Sequence, residues 1–347
     1  MRAMVLKKIS DFTKNKSPLE PVLMEKPVPG PGQILVRVSR CGVCHTDLDV
    51  IEGRTPPPRF PVIPGHQVIG RVEERGQGAS KHNPDDRVGI AWIYSACGRC
   101  RFCLSGMENL CEDFRATGRD ANGGYAEYVA VSEDFAYPIP DVFSDSEAAP
   151  LLCAGAVGYR SVKLAGITDG ESVGLMGFGA AGHLVLAVIR HRYPNSRVFV
   201  FSRTPGERDF AKELGAFWAG DIPHDGKEEG PPEKLRLIID TTPVWGPVVA
   251  ALGCLEKAGR LVINAIRKEE ADKRSLLDLD YSRDLWMEKE IKSVANVTRA
   301  DLEEFLPLAA GIPIRPEVRE YPLEDANQAL LEIKERKIRG AKVLKIR

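Results

Sequence analysis

The chain has 347 residues, 43% of them apolar and 28% charged, with a formal net charge of -1. Such a balance belongs to an ordinary globular protein of one to three domains. It gives no electrostatic reason to expect nucleic acid or an anionic membrane as a partner.

The N-terminal Met1-Arg2-Ala3-Met4-Val5-Leu6-Lys7-Lys8 has neither a long apolar core nor a cleavage signal. The longest uncharged run, 172–189, is interrupted by four glycines and His183 and reads as strand, turn and helix rather than a membrane span. A cytoplasmic location is therefore expected, where eight cysteines favour metal ligation over disulfides.

Residues 1 to about 40 alternate apolar and polar positions, punctuated by Pro27, Pro29, Gly30, Pro31 and Gly32, as short strands and tight turns do. Strand-like character continues through 68–73 and 86–90. After a cysteine-rich loop at 97–111 it resumes around Gly123-Gly124-Tyr125-Ala126-Glu127-Tyr128-Val129. This spacing predicts a compact, barrel-like β domain.

The pattern changes near residue 150. Residues 148–164 are alanine-rich and helix-like, and 172–176 is a short buried strand. A helical run at 184–192, a strand at 197–201, a helix at 207–214 closed by Gly215, a strand at 235–240 and a further βαβ-type segment at 248–266 follow. Strands alternating with helices predict a doubly wound parallel sheet. Residues 225–233 read as a charged surface loop, and beyond about residue 293 the pattern is mixed again.

Gly177-x-Gly179-x-x-Gly182 follows a predicted strand and opens a predicted helix, with Ala180 and Ala181 at the helix start. In that context the glycines allow a tight turn, and free N–H groups of the helix can hold a pyrophosphate. The second strand ends Phe201-Ser202-Arg203-Thr204, without the acid that would hold a ribose 2′-hydroxyl. Ser202 can hydrogen-bond a 2′-phosphate and Arg203 can pair with it, so NADP(H) is favoured over NAD(H).

Cys97, Cys100, Cys103 and Cys111 offer four thiols within one loop, a closed tetrahedral set of the kind that holds structural Zn²⁺. A catalytic zinc needs three protein ligands and an open position. The candidates are one thiol of the Cys41/Cys44 pair, His66 and Cys153. Spacing does not decide between Cys41 and Cys44.

With these motifs in order, the chain resembles the zinc-dependent medium-chain alcohol dehydrogenases. The resemblance rests on Gly42-Val43-Cys44-His45-Thr46-Asp47, Gly65-His66, the four-cysteine lobe, Leu152-Cys153-Ala154-Gly155 and the glycine fingerprint, and runs over essentially the whole chain. It implies an α/β architecture: a GroES-like β-barrel catalytic domain (1–154 and 294–347, with a zinc lobe at 95–113) interrupted by a Rossmann domain (155–293). It implies two zinc ions per chain, the catalytic one on Cys44, His66 and Cys153 and the structural one on the lobe.

Further roles come from the same resemblance. Thr46 matches the hydroxyl that starts the proton relay, which continues through the cofactor ribose hydroxyl with His45, Asp49 or water beyond, and His45 also matches a group near the cofactor pyrophosphate. Asp47 matches the carboxylate that orients the histidine ligand, while Ile51 and Trp92 match substrate-pocket positions. Gln67 replaces a common glutamate beside the metal, Asp49 stands where many members have a relay histidine, and Val157 where a threonine often touches the nicotinamide.

The implied activity is hydride transfer between the nicotinamide and a primary alcohol or aldehyde, by a homodimer or homotetramer. The competing expectations are a zinc-free quinone or enoyl reductase of the same fold and a non-catalytic nucleotide-binding scaffold.

Overall fold

The structure, a computed structural model, describes residues 1–223, 230–312, 314–335 and 340–347. Most of the predicted loop at 225–233 and the side chain of Ala180 lie outside the described residues. The chain divides into two compact units, Met1–Cys153 with Val297–Arg347, and Ala154–Asn296. No helix among the described residues is long and apolar enough to cross a membrane.

The first unit opens with an antiparallel pair, β1 (Arg2–Leu6) and β2 (Leu19–Leu23). The long β3 (Gln33–Val43) leads directly into the short helix α1 (His45–Ile51). Then come β4 (Val68–Arg75), β5 (Arg87–Ile90), β6 (Ile93–Ser95), the short α2 (Arg101–Leu104), β7 (Arg115–Ala116), β8 (Tyr128–Ser132), β9 (Ala136–Pro138) and α3 (Asp145–Pro150). Ile34, Val36 and Val38 are fully buried, and β3 serves as the hub, pairing antiparallel with both β4 and β8. Each fully buried aliphatic side chain of this kind contributes about 1.5–3 kcal/mol.

The predicted helix at 148–164 is not continuous. Its start, α3, ends at Pro150, which has no N–H to donate into the helix. A wider π-helical turn, Leu151–Gly155, follows before α4 (Ala156–Ala165) begins. Alanine-rich composition reports helix propensity and does not show the extra residue that makes such a turn.

The second unit continues with β10 (Ser172–Met176), α5 (Ala180–Arg192), β11 (Arg197–Phe201), α6 (Pro205–Glu213), β12 (Trp218–Gly220), β13 (Leu235–Asp240), α7 (Gly246–Cys254), β14 (Leu255–Ile263) and β15 (Glu290–Ser293). Its six strands are parallel in the order β12-β11-β10-β13-β14-β15. This is the doubly wound sheet predicted from the sequence. The bounds of β10, β11 and β13 coincide with the apolar runs, as expected for strands covered on both faces.

The chain then returns to the first unit with α8 (Arg299–Gly311), β16 (Val318–Pro322), α9 (Ala326–Lys334) and β17 (Ala341–Lys345). Strand β17 pairs antiparallel with β3 and parallel with β16, completing a seven-stranded sheet.

Candidate active site and metal centres

Cys44 stands where β3 turns into α1, in extended backbone conformation (φ -141°, ψ 178°). Asp47, in the first turn of α1, accepts from the Cys44 N–H through Oδ2 at 2.9 Å. His66 arrives from the loop before β4, after Gly65 at φ +95°. A Cβ on Gly65 would stand 2.4 Å from the Tyr125 ring, so this turn requires glycine for both conformation and space. Cys153 comes from the π-helical turn.

The ligand atoms of Cys44, His66 and Cys153 all lie within 4.8 Å of one another. His66 Nε2 faces Cys44 Sγ at 3.3 Å, and its Nδ1 faces Asp47 Oδ1 at 3.2 Å. The carboxylate thereby fixes the ring so that Nε2 points to the cluster. Tyr125, fully buried, donates to Asp47 Oδ2 at 3.2 Å. Trp92 meets the His66 ring edge-on, with centroids 5.0 Å apart.

The electrostatics follow this geometry. A hydrogen bond from Cys153 is the main influence holding the Cys44 thiol well below its ordinary range; burial opposes it and the His66 charge assists. The same hydrogen bond, with burial, keeps Cys153 well above it. Burial alone would depress the His66 imidazolium, but the charges of Cys44 and Asp47 outweigh it and push the ring up to about 10. Burial likewise raises Asp47, against the pull of His66. The protein groups by themselves therefore form a thiolate–imidazolium pair, the charge pattern that a divalent cation replaces.

Cys41 lies apart from this cluster. It is fully buried on β3, and its Sγ approaches the backbone of Gly65 and Gly124. Gln67 is buried against Gly42, where an added Cβ would lie 2.1 Å from its Oε1. His45 is exposed and Thr46 is buried. Asp49 is buried and paired with the Arg54 guanidinium, which also reaches Glu52. Ile51 has no exposed surface and belongs to the apolar core.

The four lobe cysteines also place their sulfurs within 4.8 Å of one another. Cys97 and Cys103 sulfurs are 3.9 Å apart, against about 3.8 Å for the edge of a zinc tetrahedron with 2.3 Å bonds. Backbone N–H groups point at all four sulfurs: Cys100 N at Cys97, Cys103 N at Cys100, Cys97 N at Cys111 and Gly98 N at Cys103. Hydrogen bonds from Arg99 and Cys100 N–H groups hold Cys97 down to about 6, and burial pushes Cys103 up to about 12. Glu108 ties the lobe to α8 by accepting from Arg299 N at 2.6 Å.

In the second unit Gly177, Phe178 and Gly179 link β10 to α5, and the first α5 residues, Ala180, Ala181 and Gly182, follow at once. A Cβ on Gly182 would stand 2.8 Å from the Gly177 carbonyl oxygen, so glycine lets the helix start close to the strand. Ser202 is buried at the end of β11, and its hydroxyl donates to Glu207 in the first turn of α6. Arg203 is exposed.

Glu207 stands five residues beyond the strand end in the sequence, and only the helical turn brings it back to Ser202. Tyr125 escapes the sequence for a related reason: the approach of its segment, just ahead of β8, to Gly65 is tertiary.

A GroES-like β unit with a three-ligand cluster and, in the same chain, a doubly wound dinucleotide-type sheet define a class of two-domain oxidoreductases. Residues 30–141 match the alcohol dehydrogenase GroES-like domain. A probable alcohol dehydrogenase, AdhA, of Mycobacterium tuberculosis is 42% identical over 334 residues, covering 95% of this chain and 93% of that one. An alcohol dehydrogenase of Geobacillus stearothermophilus is 36% identical over 337 residues, covering 95% and 97%. Among solved structures, a cobalt- and zinc-bound thermostable alcohol dehydrogenase of Pyrobaculum aerophilum superposes with a TM-score of 0.85 at 26% identity, over 100% of this chain and 99% of that one. The chain belongs to the zinc-type medium-chain alcohol dehydrogenase family, and is an oxidoreductase of that family.

Proposed function

We propose that the chain is a two-zinc dehydrogenase that interconverts primary alcohols and aldehydes with NADP(H). The observation that carries this reading is the approach of Cys44, His66 and Cys153 to within 4.8 Å, a set of three donors beside a separate set of four. Three donors leave a zinc ion one position for substrate; four thiolates close it. Zinc held by Cys44, His66 and Cys153 would supply Lewis acidity toward a substrate oxygen, and a bound nicotinamide would supply hydride donor or acceptor capacity.

The chain's own residues then have distinct tasks. Asp47 and Tyr125 orient His66. Thr46, buried next to Cys44, takes the substrate proton, and exposed His45 passes it toward solvent. Buried Asp49, through Arg54, steadies the C-terminal end of α1. Trp92 forms an apolar wall beside His66; Ile51 supports the pocket from the core.

In the second unit Ala180, Ala181 and Gly182 offer their N–H groups to the pyrophosphate. Ser202 is engaged by Glu207, so the preference for a 2′-phosphate rests on Arg203, exposed at the strand end. Exposed Tyr281, Trp286, Met287 and Ile291 lie on or just before β15, an edge strand whose four residues are all exposed. Pairing of β15 with its copy would cover this edge and supports a homodimer or a tetramer built from it. Eight free cysteines suit the reducing cytoplasm.

The test is an aldehyde and alcohol panel with zinc-loaded protein, using NADPH and NADH side by side. Turnover with NADPH favoured is expected. Arg203→Ala should weaken NADPH by about tenfold, as loss of a charge-assisted phosphate contact does, and leave NADH unchanged. Equal loss for both coenzymes overturns phosphate recognition.

A further inference from the structure

The carboxyl edge of the six-stranded sheet carries a charged feature that the glycine fingerprint does not use. Strand order reverses between β10 and β13, so the sheet has two three-stranded halves. In a sheet wound this way each half takes one mononucleotide, with the pyrophosphate over the helix after the first strand. The end of β11 belongs to the adenosine half. The nicotinamide half therefore falls to the segments leaving β13 and β14, residues 241–245 and 264–272.

These segments are stitched together from within. Asn264 N donates to Asp240 O at 3.0 Å, and Glu269 N to Pro243 O at 2.7 Å. Lys268, its side chain 6% exposed, donates from one ammonium to the Asp240 carboxylate, to Thr242 O at 2.7 Å and to Val244 O at 3.1 Å. Asp240 is fully buried, and its other oxygen accepts from Thr242 N at 3.0 Å and Thr242 Oγ1 at 2.7 Å. Asp272 completes the brace: Oδ2 accepts from Trp245 N and Gly246 N, both at 2.8 Å, at the start of α7.

Burying an ion pair costs several kcal/mol per ion before the attraction is counted, and an apolar pair of similar volume often supports a fold equally well. What the pair adds is direction. Three donors on one ammonium hold a carboxylate and two carbonyls at once, which confines the backbone after β13 to one path.

We propose that Lys268 is a positioning residue for the nicotinamide half of the cofactor, acting through Asp240 to hold segments 241–245 and 264–272 in one binding-competent arrangement. The inference rests on the dinucleotide reading above. Lys268 points into the protein, and its three donors are taken up by Asp240, Thr242 and Val244. Its effect is preorganisation: loops already ordered do not have to be ordered by the ligand.

The test uses full-length, zinc-loaded protein and the apolar pair K268M/D240L, with K268M beside it. Dissociation constants are measured by titration calorimetry for NADPH, NADH and ADP-ribose, the last lacking nicotinamide. The expected double variant keeps its Tm within about 3 °C and binds ADP-ribose within about twofold of the parent, but binds both coenzymes about tenfold more weakly. Coenzyme affinity restored together with stability overturns the proposal, as does an equal loss for ADP-ribose. If the apolar variants do not fold, K268R decides, since it keeps the charge and changes the donor geometry. A loss selective for the coenzymes supports the proposal and no selective loss overturns it. Parent protein that binds none of the three overturns the dinucleotide reading itself, before any substitution is made.

Discussion

The two cysteine clusters of the first unit solve one chemical problem in opposite ways. The lobe takes all four sulfurs from one loop and feeds them backbone N–H groups of the same loop. The other cluster takes Cys44 from a strand–helix junction, His66 from a distant loop and Cys153 from a distorted helix, and braces them with Asp47 and Tyr125. A local site needs only its loop. A dispersed site needs the whole unit folded around it, and in return it can hold three ligands without a fourth closing over them.

Breaking the dispersed site should have the largest effect. Cys153→Ser is expected to lower turnover by about a thousandfold or more, since several kcal/mol of Lewis-acid stabilisation go with the metal. Nucleotide affinity should stay within about twofold. Metal analysis beside steady-state kinetics checks this, and near-parental activity would remove Cys153 from the site.

Asp47→Asn keeps the shape but removes the charge that orients His66, and should weaken the metal about 10–100-fold in competition with a chelator. Cys100→Ser tests the other side of the comparison. One metal equivalent should be lost and Tm should fall by about 5–10 °C, with turnover of the remaining folded protein changed by less than about threefold. Loss of activity as severe as in Cys153→Ser would erase the functional distinction between the clusters.

The smallest effect is a proton count. His66 is held up to about 10, and a metal binds only the neutral ring, so zinc uptake releases this proton at any pH below about 10. Apparent zinc affinity should therefore fall as pH is lowered. Stopped-flow mixing of zinc with metal-free protein in weak buffer, read with an indicator dye, checks the release. Asp47→Asn removes part of what raises His66 and should reduce it at neutral pH.

The contrast between the clusters also explains what could be read from the sequence. The lobe is legible because its chemistry is local: four thiols in one short loop carry their meaning in their spacing. The strands β10, β11 and β13 are legible because burial on both faces writes them as largely apolar runs. The dispersed cluster is not legible from spacing, and resemblance had to choose Cys44 over Cys41.

Composition does not reveal the π-helical turn, the return of Glu207 to Ser202, or the burial of Lys268. Each is set by what packs against the residue. Lys268 sits in the polar stretch Arg267-Lys268-Glu269-Glu270, and only the fold turns its ammonium inward.

The turn at Leu151–Gly155 makes chain length itself a ligand-placing device. A π-helical turn is an α-helix with one residue too many. Delete one residue there and the helix can regain its ordinary winding with the later turns kept in register, so the side chains that re-aim are those of the turn itself, by up to about 100° around the axis. Cys153, or whatever replaced it, would then face a different side of the helix from Cys44 and His66. At this point in the chain an indel is equivalent to losing the thiol, although every cysteine remains in the sequence.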